Sequence, residues 1–183
     1  MIPLILYLVL LFSLLFFLIF MSVYTLSLIY SSFKGAPYVP TKMKVLEQIL
    51  IPAKLNKNSF LMELGSGDGR MLIFASKRFG VRGLGVDINP LLVFWSNIWA
   101  KQDKVEKRIS FRVKNIFNTD LSPADCVYIF LMPELIEKLT EKMEKELKKN
   151  TMVIAHGFPV KRWKKKLVHT LKQSPFPTYY YRV

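Results

Sequence analysis

The first 33 residues of this 183-residue chain carry no charged side chain. All 27 Lys and Arg and all 13 Asp and Glu fall in the remaining 150 (183 − 33). Residues 3–21 are almost wholly Leu, Ile, Phe and Val, and residues 22–32 add an uncharged, more polar extension. A helix that crosses a bilayer needs about 20 apolar residues. A cleaved signal peptide has a basic start and an apolar run of about 7–15 residues; this segment lacks the first and exceeds the second. A helix apolar on every side at a chain terminus is rarely a buried core helix. Residues 1–33 are therefore expected to form a single transmembrane anchor. Lys34, Lys42 and Lys44 follow it closely and nothing basic precedes it except the α-amino group. The positive-inside rule then sets the folded part on the cytoplasmic side of a cell membrane.

The folded part is strongly basic, at 27 − 13 = +14. After Glu146 there is no acid, yet Lys148, Lys149, Lys161, Arg162, Lys164, Lys165, Lys166, Lys172 and Arg182 follow. Such a surface can meet nucleic acid, anionic lipid or an acidic protein. Cys126 is the only cysteine, so an intrachain disulfide and a cysteine-rich zinc cluster are both excluded, and no metal site is expected. A reducing compartment fits.

Residues 34–58 read as a linker, broken by Gly35, Pro37 and Pro40, and a helix over 43–50 with apolar positions Val45, Leu46, Ile49 and Leu50. From residue 59 onward, strands and helices alternate. Strands are expected over 60–64, 81–86, 109–113, 126–131 and 151–155. Helices are expected over 70–79, 90–100 and 133–149, the last with the stripe Leu135, Ile136, Leu139, Met143 and Leu147. Residues 167–171 and 178–182 could close the sheet as an antiparallel pair. Strict alternation implies an α/β, Rossmann-like sheet, mostly parallel with an antiparallel last strand and helices on both faces. Ligands of such sheets bind at the carboxyl ends of the strands.

The run Glu63-Leu64-Gly65-Ser66-Gly67-Asp68-Gly69-Arg70 leaves the first strand and opens a helix. Gly65 and Gly67 permit positive φ and close backbone approach to a ligand. The helix N-terminus adds free amide donors. Glu63, just before the turn, suits a ligand bearing an ammonium group, such as a methionine moiety, and repels a pyrophosphate. The spacing is G-x-G-x-G where a dinucleotide site has G-x-G-x-x-G. Asp87 ends the second strand, 22 residues after Gly65, where an acid can accept both ribose hydroxyls. Asn115 and Ile116 follow the third strand, where a polar side chain can meet an adenine edge and an apolar one its face. Glu63, Gly65, Ser66, Gly67, Asp68, Asp87, Ile88, Asn115 and Ile116 are the expected binding residues for S-adenosylmethionine.

The octapeptide at 63–70 is similar to the first motif of class I, seven-strand methyltransferases. Pro37-Tyr38-Val39-Pro40-Thr41, Gly65-Ser66-Gly67-Asp68-Gly69-Arg70 and Gly85-Val86-Asp87-Ile88-Asn89-Pro90-Leu91-Leu92-Val93 resemble the FAM173-like family of membrane-anchored protein-lysine methyltransferases and their prokaryotic relatives. The resemblance runs from the anchor to about Trp163. It implies that Glu63, Gly65, Gly67 and Asp87 hold the cofactor, and that Tyr38, Pro40 and Thr41 belong to a segment folding back near the active site. The family's eukaryotic members are mitochondrial and methylate lysines of inner-membrane proteins. Asp87 stands where the family often has Glu, and the tail after Trp163 is short and lysine-rich.

Methyl transfer from a sulfonium is an in-line displacement that needs positioning and a neutral nucleophile. A lysine amine titrates near 10.4, and burial beside a cation lowers it, so a dedicated base is optional. Tyr38, Tyr128, Pro133 and Glu134, with Met132, are the acceptor-site candidates, Glu134 also suiting the dipole of a first helical turn. His156 reads as structural, Cys126 as core, and Trp95 and Trp99 as packing. Lys161 to Lys166 reads as a solvated face with attraction to anionic lipid as a second role. The expected partners are the lipid bilayer and a membrane-associated protein substrate, with no nucleic acid. A lipid or small-molecule acceptor, and a non-catalytic membrane-tethered cofactor-binding protein, are the alternatives.

Overall fold

The structure, a computed structural model, describes residues 2–34 and 38–183. The expected chain breaks at Gly35 and Pro37 lie outside the described residues. Helix α1 (Ile2–Lys34) runs from the second residue of the uncharged segment to one residue beyond it. Within Pro3–Tyr30, an 18-residue window has a mean hydropathy of 3.0 and is not buried by the rest of the chain. By length and composition the helix can cross a membrane.

Seven strands form one sheet: β1 (Phe60–Leu64), β2 (Arg82–Asp87), β3 (Ile109–Val113), β4 (Cys126–Ile129), β5 (Met152–His156), β6 (Leu167–Leu171) and β7 (Thr178–Arg182). Their order is β3-β2-β1-β4-β5-β7-β6. The first five are parallel, and β7 enters antiparallel between β5 and β6. The expected strand ends shift by a few residues. β4 stops at Ile129, level with the end of β1 at Leu64, while β5 runs one residue further to His156.

Period-two alternation sends strand residues to two separate cores. On one face Leu61, Phe111, Tyr128, Ile154 and Tyr180 pack under α2 (Met43–Leu50), α3 (Arg70–Phe79) and α4 (Pro90–Gln102). On the other, Met62, Leu64, Val127, Ile129 and Val153 pack under α5 (Pro133–Glu146) and the 3₁₀ segment Lys161–Lys166. The stripe read for α5 is the buried one: Ile136, Leu139 and Met143 are all covered. The helix ends at Glu146, short of the expected 149, because Leu147 turns to extended backbone.

The basic segment Lys161–Lys166 is tied to α5 by Trp163 Nε1 donating to Glu144 (2.7 Å) and Arg162 pairing with Glu141 (3.1 Å). It leads into Leu167, which pairs with Tyr181 beside Val153, so it sits at the amino-terminal end of the parallel strands. The carboxyl ends, where β1 meets the glycine turn, are opposite.

Candidate active site

β1 and β4 stand side by side with β2 on the far side of β1. Glu63 pairs in register with Gly85 of β2 and Tyr128 of β4. This row delivers a carboxylate and a phenol to the same face, just where the glycine turn leaves the sheet. Above it lies a cleft partly open to solvent. All nine expected cofactor residues line it: Glu63, Gly65, Ser66, Gly67, Asp68, Asp87, Ile88, Asn115 and Ile116. So do Tyr38 and Tyr128.

Pro133 and Glu134 are not brought to the cleft. Pro133 occupies the first turn of α5, Glu134 beside it is exposed, and the helix aims its buried stripe at the sheet. The next residue, Leu135, takes the place on the cleft wall together with Phe130 and Leu131. Met132 is exposed. These wall residues had no signal beyond apolarity, since a strand run past its last ladder partner looks like more strand.

The turn is built around positive φ at Gly65 (+79°) and Gly67 (+52°). Asp87 fastens it, accepting from Gly67 N–H (2.8 Å) with one oxygen and from Asn89 N–H (2.8 Å) with the other. Gly65 and Ser66 N–H both donate to Val86 O (2.9 Å). Glu63 is buried and accepts from Leu72 N–H (3.2 Å) in α3. Burial pushes its carboxyl well above the ordinary range, and the neighbouring Asp68 and Asp87 charges push the same way. Burial also raises Asp87, against the pull of its backbone donors.

Tyr38 to Thr41 form a strap across this turn. Tyr38 Oη donates to Asp68 Oδ2 (2.7 Å). Arg70 grips Asp68 at both oxygens (Nε 3.0 and 2.9 Å, Nη2 2.5 Å) and donates to Thr41 O (3.2 Å). Thr41 Oγ1 lies 3.2 Å from Tyr128 Oη. Burial, then Asp68, raises the Tyr38 phenol, and burial raises the Tyr128 phenol, so both hydroxyls stay protonated at neutral pH. Arg70 was not among the expected site residues. Its signal was an acid and a base two apart at the mouth of the turn.

Asn115 caps the short turn that follows, accepting from Phe117 N–H (2.9 Å). His156 is buried beneath the cleft wall, edge-on to Phe130, with Nδ1 2.8 Å from Thr178 Oγ1. Burial lowers its imidazole to about 4. It is thus neutral and enclosed, as its structural reading expects.

The residues fit S-adenosylmethionine on two observations. Ser66 Oγ, on the cleft wall, is buried with no hydrogen-bond partner among the described residues, and such an atom is costly to leave unmet. Three buried carboxylates, Glu63, Asp68 and Asp87, also line the cleft. Of these, Asp68 is paired with a cation, Arg70. Ionised, the three acids outnumber the two bases of the lining, Arg70 and Lys114; a sulfonium and an ammonium favour the charged form of Glu63 that burial disfavours, and a pyrophosphate opposes it.

The sheet order, the glycine turn and this acidic cleft define the class I, S-adenosylmethionine-dependent methyltransferases. The domain described as ANTKMT methyltransferase domain matches residues 63–167, more than half of the chain. The chain is 38% identical over 133 residues to a protein-lysine N-methyltransferase of Saccharolobus islandicus, covering 72% of this chain and 83% of that one. It is 33% identical over 127 residues to a human lysine N-methyltransferase named for a subunit of ATP synthase, covering 69% of this chain and 54% of the human protein. It therefore spans only about half the length of that relative. A solved structure of a Salinibacter ruber RNA methyltransferase with S-adenosyl-L-homocysteine superposes with a TM-score of 0.76 at 32% identity, covering 79% of this chain and 94% of that one. The chain belongs to the ANTKMT-type family of S-adenosylmethionine-dependent methyltransferases that contains these protein-lysine enzymes.

Proposed function

We propose that the protein is a single-pass, membrane-anchored methyltransferase that modifies lysine side chains of a membrane or membrane-proximal protein from the cytoplasmic side of a cell membrane. The observation that carries this reading is the junction between α1 and the cleft. Ser27 Oγ of α1 donates to Asn89 Oδ1 (2.7 Å), Asn89 Nδ2 returns to Ser27 O (3.0 Å), and Asn89 N–H bonds the cleft's Asp87 (2.8 Å). The chain emerges from α1 and within a few residues becomes the strap over the turn. An acceptor reaching this cleft does so beside the apolar helix. The human relative is named for lysine methylation of an ATP synthase component, which supports a protein acceptor.

In this reading Glu63 and Ser66 meet the methionine end of the cofactor, Asp87 its ribose and Asn115 and Ile116 its adenine. S-adenosylmethionine supplies an electrophilic methyl group on a sulfonium. Tyr38, Thr41, Tyr128, Phe130 and Leu131 form the wall along which the acceptor amine approaches. The neutral hydroxyls of Tyr38 and Tyr128 can accept from an amine, and the apolar wall disfavours the ammonium form and excludes water. No side chain need take the proton in the displacement itself.

A nucleic-acid acceptor is the second reading, favoured by the net charge of +14 and by the likeness to the Salinibacter RNA methyltransferase. Radiolabelled methyl transfer into membrane extracts, separated into protein, lipid and nucleic acid, decides. Label in protein that vanishes on acetylation of lysines is expected; label confined to lipid or RNA rejects the lysine reading. Resistance of the full chain to alkaline carbonate extraction tests the anchor.

A further inference from the structure

α4 breaks the usual rule for a helix on the surface of a globular domain. Its inner face, Leu92, Val93, Ser96 and Ala100, is buried on the sheet. Its outer face should be polar. Instead Leu91, Phe94, Trp95 and Ile98 fall there at i, i+3, i+4 and i+7, and Trp99 borders them. Phe94 is 57% exposed and Trp99 37%, while Leu91, Trp95 and Ile98 are half-buried. Lys101 is the only charge in all thirteen residues of the helix. A contiguous apolar face of this kind marks a partner or a membrane.

Three features choose the membrane. The first is continuity with the apolar helix. Val23, Leu26, Ser27 and Tyr30 of α1 share a small hollow with Pro90, the first residue of α4. The second is length. A 33-residue helix is about 50 Å long at 1.5 Å per residue, against a hydrocarbon core of about 30 Å. The docked turns near Ser27 thus fall at the interface, and α4 starts at that level. The third is chemistry. Tryptophan prefers the headgroup boundary, and residues 101–114 carry six bases against two acids, a net +4 that suits anionic headgroups.

We infer that the outer face of α4 is a second membrane contact, seating Phe94, Trp95 and Ile98 in the headgroup region of the bilayer that α1 crosses. This contact rests on the proposed anchoring and adds an orientation to it. With one tether a domain swivels; with a second contact beside Asp87–Ile88 the cleft mouth is held at the lipid surface. Acceptors on membrane proteins are then presented in reach, and soluble ones are disfavoured.

All three tryptophans lie in the folded part, and Trp163 is buried against Tyr181 and serves as an internal reference. The full chain is reconstituted in phosphatidylcholine–phosphatidylglycerol vesicles, with or without dibromo-phosphatidylcholine, and its tryptophan emission recorded. Trp95→Phe and Trp99→Phe assign the signal. Bromine should quench Trp95, and a Phe94→Glu/Ile98→Glu variant should lose that quenching while still resisting carbonate and still binding S-adenosylhomocysteine. Carbonate-resistant wild type with no quenching overturns this contact and leaves the anchor standing. Carbonate-extractable protein that is nevertheless quenched keeps the contact and removes the anchor; neither property removes both. Cross-linking of two chains through this face, without quenching, assigns it to a second copy instead.

Discussion

Substituting Gly67 by alanine tests how the strap and the turn depend on each other. A Cβ at Gly67 would lie 2.8 Å from Tyr38 Cε2 and 3.0 Å from Cδ2. Two costs separate. Holding alanine at φ +52° costs about 1–2 kcal/mol. Restoring ordinary contact at 3.4 Å moves the Tyr38 ring by at least 3.4 − 2.8 = 0.6 Å. A shift of that size stretches the 2.7 Å bond from Tyr38 to Asp68 toward about 3.3 Å, past useful O–H···O range. A hydrogen bond to a charged group is worth about 1.5–3 kcal/mol, and the lower end applies because Asp68 keeps Arg70. The expected total is about 3 kcal/mol, read by thermal melting of the full chain in detergent. Weaker S-adenosylhomocysteine binding by calorimetry should accompany it. In a Tyr38→Ala background only the backbone cost should remain, leaving a coupling of about 1.5 kcal/mol in the double-mutant cycle. Strictly additive effects would refute the claim that Tyr38 rests on the turn.

Three further outcomes are expected. A carboxyl whose pKa is raised on folding keeps its proton where the unfolded chain has lost it, so stability falls as pH rises from the ordinary carboxylate value through the raised one. For Glu63, Glu63→Gln should therefore melt higher than wild type at neutral pH yet bind cofactor more weakly; a lower melting point would contradict its burial cost. Asp87→Ala removes the acceptor for both Gly67 and Asn89 N–H, and should weaken S-adenosylhomocysteine binding by more than about tenfold, about 1.4 kcal/mol; unchanged calorimetric affinity would exclude it from the site. In NMR titrations the His156 ring should move only as the pH approaches about 4; a midpoint near the ordinary histidine value would mean that it is reached by water.

Local chemistry explains what was legible in the order of residues. Phe60 to Leu64, Arg70 to Phe79, Ile109 to Val113 and the closing pair at 167–171 and 178–182 form as their periodicity and glycine boundaries demand. Strand ends such as Ile129 were less legible, because pairing stops when a neighbour does and neighbours are distant in sequence.

The glycine turn, its flanking acids and the apolar helix belong to the sequence alone, because each is encoded by contiguous residues whose backbone preferences and charge do not depend on the rest of the chain. Tertiary structure decided what contiguous residues cannot: that Arg70 ties Asp68 to Tyr38 and Thr41, that Leu135 rather than Pro133 or Glu134 meets the cleft, that the lysine-rich 161–166 segment lies away from it, and that Phe94 and Trp99 of α4 are left exposed while Trp95 is half-buried. Periodicity places side chains on a helix face, but only the packing of helix on sheet says which face is left uncovered.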